Sequence, residues 1–215
     1  MSIPQAASTF LQVLSVRRST YTLAKTPSIL SVDQIQTILS KVLRASPSSY
    51  NSKSPRLVLL VGAEHDEYWG KLVPTALTNA IKSSGGDEKA VEAALARVNM
   101  FKPAFGTVLF FESQNSVKGL QEKLPQYKDI FPVWSEHASA IAQNNTWVAL
   151  TNAGYGANLQ HYGNLTQEQI KKKFSLPNDW NLKAELVFGA KTAEPKPKEY
   201  DEEKENEERL KIFGA

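Results

Sequence analysis

A chain of 215 residues with 41% hydrophobic and 22% charged residues has the size and composition of one soluble domain with a full core. It has no cysteine for a disulfide, thiolate nucleophile or Cys-ligated metal, and His65, His137 and His161 stand at no metal-ligand spacing, so no metal site is expected. The net charge of +3 divides into a basic body, residues 1–198, with 22 Lys/Arg against 15 Asp/Glu, and an acidic segment, residues 199–215. The basic body suits an anionic ligand, but no Lys/Arg run is interleaved with aromatics as nucleic acid would require.

No apolar run approaches the roughly 18 residues that a membrane helix needs. The first residues carry no signal-peptide core, and we expect a cytoplasmic location, the nucleus being the alternative.

Phe10, Val13, Leu14 and Arg17 follow helical spacing and predict a helix from about Pro4 to Val16. Behind it comes Arg17-Arg18-Ser19-Thr20-Tyr21, ahead of a turn marked by Pro27. Two guanidiniums beside a hydroxyl form a donor set that suits a phosphate group. Taken alone, two adjacent arginines at a helix end are more often solvated or paired with a carboxylate. Ser31 with Gln34 makes a capping-box pattern for a second helix, whose stripe is Ile35, Ile38, Leu39, Val42 and Leu43. Pro47 opens the loop Pro47-Ser48-Ser49-Tyr50-Asn51-Ser52, where Asn51 alone reads as a turn former.

Leu57 to Val61 predicts a buried strand, Glu64 to Lys82 a helix broken by Ser83-Ser84-Gly85-Gly86, and Asp87 to Val98 another helix. His65 is expected to be exposed. Gly106 to Phe111 predicts a second buried strand, and a short helix covers about Val117–Lys123. Trp134 to Ala153 is Ala-rich and predicts a helix buried on most of its surface, with His137 a polar residue near its start. Gly154-Tyr155-Gly156 stops that helix, and Ala157 to Tyr162 predicts a short strand on which Gln160 and His161 could form a satisfied hydrogen-bond pair. Thr166 with Gln169 predicts a helix cap, and Leu182 to Phe188 a strand. The four tryptophans, at 69, 134, 147 and 180, read as core or interface residues.

Helices and strands mix without strict alternation, which is α+β. We expect residues 1–198 to form the domain and residues 199–215 an extended polar arm whose Leu210, Ile212 and Phe213 dock on a partner subunit.

Three segments and a lysine pair, in this order, carry a resemblance over essentially the whole chain. They are Arg17-Arg18-Ser19, Pro47-Ser48-Ser49-Tyr50-Asn51-Ser52, Gly154-Tyr155-Gly156-Ala157-Asn158-Leu159-Gln160-His161-Tyr162, and Lys196 with Lys198. Together they resemble the nitroreductase family of FMN-dependent oxidoreductases, in particular its short fungal and bacterial branch linked with oxidative stress and lipid metabolism. The resemblance implies a central mixed, mostly antiparallel sheet flanked by helices, and a homodimer that exchanges its C-terminal arms. It implies that Arg17, Arg18 and Ser19 hold the FMN phosphate and ribityl chain, and that Lys196 and Lys198 close over the phosphate. Pro47, Ser48, Ser49 and Asn51 would come from the other subunit to the isoalloxazine ring. Leu159, Gln160 and His161 would lie along the flavin, with a backbone N–H near His161 directed at N5.

Some positions depart from the family pattern. Tyr21 stands where many relatives carry a lysine near flavin N1, Lys53 where many carry a glutamine, and His161 where larger branches carry a glutamate. The activity implied is an FMN-dependent NAD(P)H oxidoreductase in which NADH or NADPH and then a nitroaromatic or quinone-like small molecule use the same flavin face in turn, with no side chain required as acid or base. The alternative is an FMN-binding redox-sensing regulatory protein with little turnover.

Overall fold

The computed structural model describes residues 3–195 and 201–214. Helix α1 (Gln5–Ser15) leads to the two-residue strand β1 (Leu23–Ala24) and helix α2 (Val32–Ala45). Helix α2 starts at the expected capping box: Gln34 N donates to the Ser31 hydroxyl and Ser31 N donates to Gln34 Oε1. Strand β2 (Pro55–Val61) follows a 3₁₀ turn, Ser49–Asn51.

The single helix expected over Glu64–Lys82 is divided into α3 (Ala63–Glu67), a π turn (Tyr68–Leu72) and α4 (Val73–Ser83). Pro74, in the first turn of α4, has no N–H to give and its ring crowds the carbonyl four residues back. A wider π turn there relieves both conflicts. Next come α5 (Glu88–Asn99), capped by Asp87, which accepts from Ala90 N at 2.8 Å, then β3 (Gly106–Ser113) and α6 (Gln114–Lys123).

The long helix α7 (Phe131–Asn152) begins ahead of Trp134, with Pro132 in its first turn, where a missing N–H costs nothing. It ends as expected at Gly154, whose φ of 105° allows Tyr155 N to donate to Leu150 O at 3.1 Å. Strand β4 (Gly156–Gln160), helix α8 (Gly163–Lys173) and strand β5 (Trp180–Lys191) complete the domain. Thr166 does not cap α8. It lies buried inside the helix, its hydroxyl donating back to Tyr162 O at 3.1 Å.

The sheet runs β1-β5-β3-β2, with β4 also paired to β5. All the strand pairs among the described residues are antiparallel, so the expected mixed sheet reduces to one parallel bridge, between Ser19 and Ala157. Strand β3 is buried along its whole length because helices cover both faces. Leu109 and Phe111 join one core with Trp69, Phe101 and Val187, while Val108 and Phe110 join the other with Ile35, Leu150 and Phe188. Helices α2 and α7 cover this second face.

His65 is buried, not exposed. Its Nδ1 lies 3.0 Å from Thr107 Oγ1, which also accepts from Trp69 Nε1 at 2.8 Å. Burial pulls the imidazole pKa down to about 4, so the ring is neutral in ordinary buffers.

At the C-terminal end stands a short helix, α9 (Glu202–Arg209), in place of an extended arm. Beyond it Leu210, Ile212 and Phe213 are 59%, 71% and 91% exposed. Lys196 and Lys198 lie outside the described residues. No helix among the described residues is long and apolar enough to cross a membrane, and no group of His, Asp or Glu among them could hold a metal ion.

Candidate functional site

Helix α1 stops at Ser15, and the chain leaves it to lie along the free edge of β4. Ser19 bridges Ala157, Thr20 N donates to Ala157 O at 2.9 Å, and Asn158 Nδ2 donates to Thr20 O at 2.8 Å. Glycine at 156 permits this approach: a Cβ there would meet Leu23 Cδ2 at 2.8 Å, Lys191 Cγ at 2.7 Å and Thr20 Cγ2 at 3.0 Å. Two segments more than a hundred residues apart in sequence, Arg17–Tyr21 and Gly156–His161, thereby form one continuous surface.

Arg17 and Arg18 are half-buried on that surface, and Ser19 and Tyr21 are exposed. The Arg17 guanidinium lies over the Trp147 ring of α7, 4.5 Å from its centroid. Such stacking holds the guanidinium by its face and leaves its edge of N–H donors free for an anion. Trp147 Nε1 is buried beside it with no hydrogen-bond partner among the described residues.

Of the strand residues, Leu159 is half-buried against the α2–α7 core and His161 is exposed. The Gln160 side chain is buried and donates to Asn158 Oδ1 at 2.8 Å. Gln160 is therefore satisfied by Asn158 and not by His161. Asn158 ties Gln160 to the Thr20 carbonyl and so staples the arginine segment to the strand. Glu185, paired with Gln160 across the β4–β5 ladder, is fully buried and accepts from Tyr162 N at 3.0 Å. Burial lifts its carboxyl to about 7.

The Pro47–Asn51 loop lies elsewhere on the chain. Its turn needs left-handed backbone at three residues, Tyr50 (φ 51°), Asn51 (φ 51°) and Lys53 (φ 48°), a conformation Asn tolerates better than most. Lys53 N donates to the Ser48 hydroxyl at 2.9 Å, and the Arg56 guanidinium donates to the carbonyls of Lys53, Ser54 and Pro55. This fit supports the turn-former reading of Asn51. The turn aims Tyr50 at three rings: Phe131 at 5.7 Å, Tyr127 at 6.1 Å and Trp134 at 6.1 Å between centroids. Beside this aromatic set a shallow pocket of about 190 Å³ is lined by Pro47, Ser48, Ser49, Trp134, His137 and Ile141. His137 thus stands in the first half of α7, next to the loop, with no ion-pair partner among the described residues.

Helix α7 separates the two halves. Trp134 flanks the loop and Trp147 flanks Arg17, and thirteen residues of helix span about 20 Å at a rise of 1.5 Å each. Along that side runs a groove of about 570 Å³ whose lining includes Phe10, Leu14, Ile38, Lys41, Val42 and Val148. Helix α1 has no buried residue, and its Phe10 and Leu11 are 60% and 52% exposed. An apolar face of this extent is what an unfilled protein interface presents.

Chemically, the first half offers two cations and a hydroxyl for an anion, and the second offers aromatic faces and small polar side chains. Sequence reasoning singled out the arginines and the loop but missed Trp147, Asn158 and Glu185. A signal existed for Glu185: a single acid in the strand stretch Ala184-Glu185-Leu186-Val187-Phe188 is seldom buried without a specific partner. No comparable signal marks Trp147, whose contact with Arg17 depends on how α1 packs on α7.

A model of the family described as the nitroreductase family matches residues 14–190. The protein HBN1 of Saccharomyces cerevisiae is 33% identical over 196 residues, covering 91% of this chain and 94% of its own. The nitroreductase CinD from Lactococcus lactis, solved in complex with chloramphenicol, is 36% identical with a TM-score of 0.85, covering 95% of this chain and all of its own. A further structure, from Desulfovibrio desulfuricans and in complex with FMN, superposes with a TM-score of 0.65 over both full chains, and at 14% identity it speaks for the fold alone.

Proposed function

The chain belongs to the nitroreductase family, and from that premise we propose that it is an FMN-dependent oxidoreductase that draws on NADH or NADPH and reduces nitroaromatic or quinone-like acceptors. The observation that carries this reading is the Ser19–Ala157 bridge, which lays Arg17-Arg18-Ser19 beside the β4 edge as one surface. The donor set fits the cofactor's phosphate: two guanidiniums neutralise its charge and a hydroxyl adds a neutral donor. Bound FMN would supply hydride acceptance and donation at N5.

The protein's share is geometry and charge. Arg17 is held in place by Trp147 before any ligand arrives, which lowers the entropy cost of binding. Asn158 fixes the arginine segment on the strand, so the phosphate grip and Leu159–His161 keep one spacing. Lys196 and Lys198 would close over the phosphate from the C-terminal side. Tyr21 brings a hydroxyl and no charge to the place where a lysine would act on N1. Exposed Tyr50 and Tyr127 offer flat faces against which an aromatic acceptor can stack. No side chain is needed as a general acid or base, since solvent reaches the exposed His161 edge.

A second subunit completes the site in this reading. The loop lies about 20 Å along α7 from Arg17 within one protomer, and the apolar groove beside α1 supports a homodimer that brings the partner's loop to the flavin. Residues 199–215 would be the arm that reaches the partner, a role supported by the exposure of Leu210, Ile212 and Phe213. The pair would work in the cytoplasm, with a part in the response to oxidative stress.

The deciding measurement is the absorbance spectrum of the purified protein with and without added FMN, followed by NADH and NADPH oxidation with a nitroaromatic acceptor. Flavin bound in stoichiometric amount and parallel double-reciprocal lines are expected. A protein that takes up no FMN overturns the reading, intersecting lines exclude the alternating scheme, and a flavoprotein with negligible turnover is the redox-sensing regulator instead.

A further inference from the structure

A second pocket adjoins the Pro47–Asn51 loop. Its volume is about 490 Å³, and its wall contains Arg44, Lys53 and Arg56 together with Ser46, Ser48 and Asn51. Sites for small molecules and cofactors fall in the same range, roughly 300–1,000 Å³. No carboxylate lines the pocket, and none of its three cations makes an ion pair among the described residues.

Two of these cations are fixed by the backbone around them. Lys53 adopts a φ of 48°, which glycine would accept without a Cβ clash, and its N–H donates to the Ser48 hydroxyl at 2.9 Å. Arg56 Nη1 donates to the carbonyls of Lys53, Ser54 and Pro55, so the guanidinium is tied to the base of the loop. The Nη2 side of its fork takes no part in those bonds. Arg56 feels the Asp179 carboxylate only at longer range, and that group is already engaged by the Ser113 hydroxyl at 2.7 Å and Asn115 N at 3.2 Å. Arg44 adds a third cation from the last turn of α2. Such a set, held before any ligand arrives, suits a group with more than one negative charge.

Ser48 lines this pocket and also the smaller one beside Trp134 and His137. The two adjoin at the loop, one with aromatic faces near it and the other with cations. A molecule that fills both carries a flat ring and, a short link away, an anionic group. Among the reactants of the proposed scheme the nicotinamide dinucleotide has that form, since one ribose joins its ring to its diphosphate. A nitroaromatic or quinone has no such tail, and the FMN phosphate has its own donors in Arg17, Arg18 and Ser19.

We propose that Arg44, Lys53 and Arg56 bind the diphosphate of NADH or NADPH and so anchor the reductant, but not the acceptor, beside the flavin. The placement beside the flavin rests on the reading given above, in which the partner's loop meets the isoalloxazine ring. Both nucleotides carry the diphosphate, whereas the 2′-phosphate belongs to NADPH alone.

The first test needs no flavin. Inorganic pyrophosphate is titrated at low salt into the full-length, flavin-free protein, and amide resonances are followed by NMR. Those of Ser48 and Arg56 should shift to saturation in the wild type and stay still in the double variant Arg44→Gln/Lys53→Gln. Resonances of Arg17 to Ser19 report the other anion site and should respond in both proteins. Arg56 is left in place because its Nη1 also ties the loop. Pocket resonances that ignore pyrophosphate, or that respond alike in both proteins, overturn the assignment.

The second test compares kcat/KM on the flavin-loaded protein for NADH, NADPH and 1-benzyl-1,4-dihydronicotinamide, a reductant without phosphate. In the double variant the values for both dinucleotides should fall about tenfold to a hundredfold, as expected for two charge-assisted contacts partly screened by solvent. The benzyl reductant should react as with the wild type, and FMN content should be unchanged. A loss confined to NADPH assigns the pocket to the 2′-phosphate and overturns the diphosphate. An equal loss with the benzyl reductant, or a loss of FMN, overturns the anchoring role. If the wild type takes up no FMN, the placement beside a flavin fails with the flavin reading, and the pyrophosphate titration alone decides the pocket.

Discussion

The Arg17 guanidinium sits 4.5 Å over the ring of Trp147, and this contact links the end of α1 to the last turns of α7. A stacked guanidinium cannot swing toward solvent, so Trp147 sets where Arg17 presents its donors. Trp147→Ala removes the platform and Trp147→Phe keeps a weaker one. Cation–π contacts of this kind are worth about 0.5–2 kcal/mol. FMN affinity, read from flavin fluorescence on titration, should therefore fall a fewfold to about thirtyfold in Trp147→Ala, with Trp147→Phe in between. Arg17→Glu should abolish flavin retention while circular dichroism stays that of the wild type. Full FMN occupancy in that variant would refute the phosphate assignment.

Gly156 stands beside the Thr20–Leu23 stretch that follows the arginines, and a methyl group there has no room beside Leu23, Lys191 and Thr20. Gly156→Ala must push the Thr20–Leu23 backbone outward or displace three side chains. Overpacking of this kind costs roughly 1–3 kcal/mol. The expected outcome is a lower urea midpoint together with weaker FMN binding, because the displaced segment continues directly from Ser19. A variant that lost stability yet bound FMN normally would separate the segment from the site.

Two buried titrating groups should pull stability in opposite directions. His65 is held at about 4 against an ordinary value near 6.5, so the unfolded chain binds its proton first and stability falls as pH drops from about 6.5 to 4. Glu185 is held at about 7 against 4.5, so the folded chain keeps its proton longer and stability falls as pH rises from 4.5 to 7. Each effect has a ceiling of about 3 kcal/mol, and between pH 4.5 and 6.5 they offset one another. His65→Leu should uncover a steady loss of stability toward neutral pH, and Glu185→Gln a steady gain over the same range. Urea unfolding at several pH values reads both slopes, and equal slopes in the two variants would contradict the assignment.

What the sequence made legible follows from local physics. The Ser31–Gln34 box, the Gly154 stop and the β3 apolar run each depend on contacts within a few residues, and each stands where it was expected. His65 and Thr166 were misread because their burial comes from distant elements: Thr107 on β3 receives the first, and Tyr68 on the π turn receives the second. Within the site, Arg17-Arg18-Ser19 was legible as a donor set. Its contact with Ala157 was not, since nothing in either segment specifies a bridge spanning more than a hundred residues.

The separation of the Pro47–Asn51 loop from Arg17 along α7 leads to a complementation test of the proposed dimer. If each site takes Arg17 from one subunit and the loop from the other, a dimer of two different inactive variants regains one whole site. Arg17→Glu disables the first half. Ser49→Trp fills the half-buried position the loop offers to the ring and disables the second. Unfolding and refolding an equimolar mixture pairs subunits at random, so half the dimers are mixed and about one-quarter of all sites are intact. Flavin content and NADH-dependent nitroaromatic reduction should both recover to about that fraction of wild type. If both halves of a site came from the same subunit, every site would carry one of the two lesions and no activity would return.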